Sequence, residues 1–108
     1  MKTELTIDQI KSLEEVDFPV RKDEEGKYEH ITLFDLISCL PVYMEYAEAG
    51  RGIKYSLTME TVIIGSFCIW RVSYGMISDT AQELIDAIFK MTYRIYHDVK
   101  EMRDLFSN

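Results

Sequence analysis

The sequence predicts an α+β fold: two short N-terminal helices, a small antiparallel sheet of two or three strands, and one long C-terminal amphipathic helix packed on the sheet. Three observations predict it. Apolar residues recur at helical spacing from Ala81 to Phe106. Two stretches, Lys54–Glu60 and Phe67–Tyr74, alternate in polarity as strands do. Two segments near the N-terminus open with helix-capping residues, Thr6 and Thr32. The 108 residues suffice for a core of their own and are read as one domain, 1–108.

The first helix begins at Thr6, where Gln9 sits three residues on, as a capping box requires. Leu5 and Ile10 are spaced as the hydrophobic staple of that cap, and Ile7, Ile10 and Leu13 give the helix an apolar face. It ends near Val16, because Asp17-Phe18-Pro19 follows and the residue before proline avoids the α region. Arg21 to His30 is crowded with charge and reads as an exposed loop turning at Gly26. Thr32 and Asp35 repeat the capping device, with Ile31 and Leu36 as staple. Pro41 stops that helix. Its apolar residues, Leu33, Phe34, Leu36, Ile37 and Leu40, exceed what one face needs, so it is read as buried on two sides. Val42 to Gly50 fits a strand or another helical turn; irregular structure or a short helix is favoured, with a turn at Gly50-Arg51-Gly52.

In Lys54–Glu60, Tyr55, Leu57 and Met59 share one face. In Phe67–Tyr74, Cys68, Trp70, Val72 and Tyr74 share a face without charge, which is chosen as the buried one. Val62-Ile63-Ile64 between the strands is too apolar for an open hairpin tip. Either the strands run on through it, or something covers it. The long helix is read from Thr80, with Thr80 and Glu83 as capping box and Asp86–Lys90 as a surface pair. A helix of that length spans roughly 40 Å and a seven-residue strand about 23 Å, so the last turns overhang the sheet. Phe89, Tyr93 and Tyr96 lie off the main stripe, on a widened core face or on a strip that meets another chain.

Net charge is −7, and all of it falls in residues 1–50, which hold five Lys/Arg and twelve Asp/Glu against seven and seven in residues 51–108. An acidic chain with no basic stripe is a poor direct binder of nucleic acid. No signal peptide and no membrane-spanning run are read from the sequence, and a cytoplasmic location is expected. Cys39 and Cys68 lie in apolar segments and are read as buried free thiols.

Taken together, Leu5 to Leu13, Ile31 to Pro41, Tyr55 to Met59, Trp70 to Tyr74 and Glu83 to Met91 give an order of elements that resembles small uncharacterised proteins of bacterial phages and mobile elements. The resemblance implies an α+β fold and carries no activity and no functional residues.

No catalytic, cofactor or metal motif stands out. His30, Cys39, Cys68 and His97 lack ligand spacing. Gly50-Arg51-Gly52 lacks the setting of a phosphate loop. Nine residues turn Cys39 about half a rotation away from His30 if both are helical. No cofactor is therefore expected, and three functions stay open. The first and favoured one is a non-enzymatic interaction or accessory protein, self-associating as a two-fold dimer or binding another protein, with Val62, Ile63, Tyr93 and Tyr96 as candidate interface. The second is an acidic mimic of nucleic acid that occupies a basic protein through Asp23, Glu24 and Glu25. The third is a small enzyme with a site formed across a dimer around His30 or His97.

Overall fold

The computed structural model describes residues 1–107. Its elements are α1 (Ile7–Glu15), α2 (Leu33–Cys39), β1 (Tyr43–Glu48), β2 (Arg51–Ile64), β3 (Phe67–Tyr74), β4 (Ile77–Ala81) and α3 (Leu84–Phe106). The α+β class is as predicted. The sheet has four strands rather than two or three, all antiparallel and in chain order.

Both short helices begin as their sequences require. Thr6 and Gln9, and Thr32 and Asp35, form complete capping boxes. Helix α1 stops by a device that proline alone does not supply. Asp17 takes φ +66°, and the N–H groups of Asp17 and Phe18 return to the carbonyls of Glu14 and Leu13. This is a Schellman motif, and Leu13 and Phe18 supply its apolar contact inside the core.

The extra strands come from residues with no decisive periodicity. Tyr43–Glu48 is a strand and not a helix because β2 offers it a complete partner, pairing Tyr43 with Ser56 through to Glu48 with Arg51. Its turn is Ala49-Gly50, one residue earlier than expected, with both residues at positive φ as a type I′ turn demands. The other two hairpins turn at Gly65-Ser66 and Gly75-Met76, each with the glycine first and at positive φ, the place a type II′ turn reserves for it. Strand β4 takes in Thr80, so the proposed Thr80–Glu83 cap does not form. Glu83 is the N-cap of α3 without a capping side chain, and its carboxylate accepts from the Lys2 backbone N–H at 3.2 Å. Asp86 does not pair with Lys90 either. The N-terminal segment brings Lys2 to Asp86 at 2.6 Å, and Lys90 donates to the Thr80 carbonyl at 2.8 Å.

The sheet is staggered. β2 has 14 residues and, at about 3.4 Å each, runs close to 48 Å. Its first half pairs with β1 and its second half with β3, so two hairpins leave the body in opposite directions. The molecule is flat, 52 × 50 × 20 Å, and its radius of gyration of 15.6 Å exceeds the roughly 13 Å of a compact chain this long. Helix α3 lies on β3 and β4, with α1 and α2 against it. The chosen sheet face is the buried one: Val72 and Tyr74 are fully enclosed with Ile85, Ile88 and Met91 of α3, Leu13 of α1 and Leu36 of α2. The far end of α3 overhangs as expected, leaving Val99, Met102, Leu105 and Phe106 exposed.

Tyr74 joins the layers. Its hydroxyl donates to the Pro41 carbonyl at 2.5 Å, and its own carbonyl accepts from the Tyr46 hydroxyl at 3.3 Å. Burial pushes its phenol up to about 12. The fold thus raises this pKa above an unfolded value of about 10, so the contribution to stability is whole below that pH and disappears as pH climbs through about 12. Tyr74→Phe is expected to lose about 1 kcal/mol at neutral pH. It should also lose less than the wild type does between neutral and strongly alkaline pH, as urea unfolding at the two conditions will show.

Candidate interaction surface

Beyond β4 the β2–β3 hairpin stands uncovered. β4 ends at Ala81, opposite Trp70, while β2 and β3 continue to Ile64 and Phe67. Directly opposed residues of an antiparallel pair lie on one face. Ile63 and Cys68 therefore share the face that α3 covers farther back. Val62 and Ile69, with Ile64 and Phe67, share the other. The tip is apolar on both sides, and Ile63, Ile64 and Phe67 are 77%, 59% and 63% exposed. The strands do run on through Val62-Ile63-Ile64, and among the described residues nothing covers Ile63 and Ile64.

The four predicted interface residues do not form one patch. Ile63 is exposed at the tip, and Val62 is half-buried beside it. Tyr93 is half-buried on α3, in a ladder with Phe89 and His97 at centroid distances of 6.4 and 5.8 Å. Tyr96, half-buried against the core as Tyr93 is, packs edge-on against Phe18 at 5.1 Å. Sequence reasoning missed Ile64 and Phe67. The signal for them was present: two-residue alternation carried to the Gly65-Ser66 turn places both beside Val62.

Both cysteines are exposed, against expectation. Cys68 has the buried-face parity but sits beyond the reach of α3, and Cys39 closes the short α2 on its outer side. His30 precedes α2 instead of belonging to a helix, so the half-rotation argument does not apply. His30 and Cys39 line one open hollow of about 320 Å³ with Arg21, Glu29 and Asp35. His30 Nδ1 lies 2.9 Å from Glu4 Oε2, with its side chain 79% exposed. A contact so open to water contributes little. A second hollow, about 350 Å³, holds Phe89, Tyr93 and His97 beside Asp79 and Arg94. Arg94 there forks onto Asp79 at 2.8 and 3.1 Å, so its charge is already engaged. His97, Asp98 and Glu101 lie close enough together to hold an ion, on the exposed side of α3.

Asp23, Glu24 and Glu25 lie exposed in the turn closed by the Lys22–Tyr28 bridge. The Asp23 carboxylate accepts from the Glu25 and Lys27 N–H groups, both at 2.9 Å, and so builds the turn itself. Among the described residues no helix is long and apolar enough to cross a membrane.

A comparison with protein-family models, with curated proteins and with solved structures finds no match to this chain.

Because both thiols face solvent, two free thiols per chain are expected to react with a colorimetric thiol reagent in native buffer, at the rate of the denatured protein within about tenfold. Two buried cysteines would react only after denaturant is added.

Proposed function

We propose that this protein is a non-enzymatic interaction protein that works through its projecting β2–β3 hairpin. The observation that carries this reading is the pair of uncovered apolar faces at the tip, with Ile63 on one side and Ile64 and Phe67 on the other. An isolated two-stranded hairpin is marginal in water, and an apolar patch of this kind on a monomer marks a place where another surface docks. Leaving three large side chains in water forgoes about 1.5–3 kcal/mol each of burial energy, which a docking surface recovers.

The hairpin is also insulated from the core. Val62, Ile63, Ile64, Phe67 and Cys68 stand outside the core cluster and the residues packed against it, so changes there act on binding and not on folding. Ile63→Lys combined with Phe67→Lys is expected to keep the far-UV circular dichroism spectrum and to move Tm by no more than a few degrees. A photo-crosslinker placed at Ile64 should attach to the bound protein in cells, and the double variant should lose that adduct. Equal adducts at Ile64 and at Lys11, on the outer face of α1, would refute the hairpin as the binding surface.

A further inference from the structure

The hairpin has one edge whose geometry selects its occupant, and the inference drawn from it rests on the interaction reading above. Leu57 donates its N–H to the Val42 carbonyl on the β1 side at 3.2 Å. Backbone groups alternate along a strand, so Met59, Thr61 and Ile63 turn their N–H and C=O groups to that same side. Thr58, Glu60, Val62 and Ile64 turn theirs to β3. β1 ends at Tyr43, opposite Ser56, so among the described residues no strand pairs with this edge from Thr58 to Ile64. The result is a slot seven residues long, closed at one end by Val42 and at the other by the Gly65-Ser66 turn.

We propose that the slot is filled by the same seven residues of a second copy, paired antiparallel about a two-fold axis through Thr61. In that register Thr61 faces Thr61 of the second copy, and Met59 faces its Ile63. All three outward-facing residues of each strand then form hydrogen-bonded pairs, six bonds in total by the antiparallel rule. An axis through Val62 satisfies fewer of them, and an axis through Glu60 opposes two carboxylates. With the axis at Thr61, Glu60 faces Val62 instead. The turn of the second copy arrives beside Val42, which is 82% exposed.

Charge favours the same occupant. The hairpin from Leu57 to Tyr74 holds only Glu60 and Arg71, which pair with each other at 2.5 Å. The rest of the protein carries the whole net charge of −7. A neutral, self-complementary edge lets two acidic bodies meet while their charge stays at the outer ends. A long, apolar, unprotected edge strand is otherwise an aggregation hazard, which native chains remove by pairing or covering it.

Two measurements test this. Light scattering from low to high micromolar concentration is expected to give twice the 12.7 kDa chain mass at the upper end. Thr61→Pro is expected to return it to the chain mass. That proline removes an N–H that points away from β3, so the hairpin keeps its internal bonds and circular dichroism stays unchanged. Hydrogen exchange on the wild type needs no variant: amides of Met59, Thr61 and Ile63 should be protected at high concentration and unprotected at low. A wild type that stays at chain mass, or a Thr61→Pro protein that still doubles, overturns the self-pairing. A monomer that still forms the Ile64 adduct with a different protein overturns the self-pairing and leaves the interaction reading standing. A monomer without any such adduct removes both.

Discussion

The packing of one helix over a staggered sheet is the constraint on which the rest of the structure depends. α3 has 23 residues and lies across β3 and β4, where Val72 and Tyr74 are sealed against Ile85, Ile88 and Met91. The 14 residues of β2 run well past that contact in both directions. One helix cannot cover strands displaced along their own length, so whatever lies outside its footprint stays in water. The two projecting hairpins, the flat outline and the exposed tip all follow from this mismatch.

The N-terminal segment makes the helix layer stable where the sheet ends. α1 and the Asp17 turn carry the overhanging half of α3: Phe18 packs on Tyr96, Lys100 donates to the Glu15 carbonyl at 2.8 Å, and Arg103 pairs with Asp17. At the other end of α3, Lys2 and Gln9 both bond to Asp86. Burial alone raises the Asp86 pKa, and these two hydrogen bonds with the Lys2 charge more than reverse it, so the carboxylate stays ionised. Pairing between the two halves runs both ways among the described residues: Asp17 of the first half receives Lys100 and Arg103 of the second, and Lys2 of the first half pairs with Asp86 of the second.

The projecting hairpin stands apart from this network. Its one ion pair among the described residues is internal, its turn is set by a glycine at positive φ, and the apolar residues at its tip contribute little to the core. Such an element is free to serve binding, because its side chains and edge are specified locally by alternation and turn chemistry. The rest of the molecule holds it rigidly at its base through Val72 and Tyr74.

Local chemistry was legible in the sequence. Capping boxes, turn glycines and two-residue alternation are interactions between near neighbours, and they specified both short helices, the β3 strand with its buried face, and the apolar tip. Where an outcome depended on distant partners, only the tertiary structure decided it. Tyr43–Glu48 became a strand because β2 was there to pair with it, and Thr80 joined β4 instead of capping α3 because β3 offered a register. Cys68 has the parity of a core residue yet lies in water, since parity reveals the face of a strand and not how far the covering helix extends. Tyr93 and Tyr96, three apart on one helix and both half-buried, took different partners, Phe89 and His97 for one and Phe18 for the other, because the turn after α1 brought Phe18 to only one of them. Hydrogen bonds and packing between segments far apart in the chain settle such choices, and no short stretch of sequence contains them.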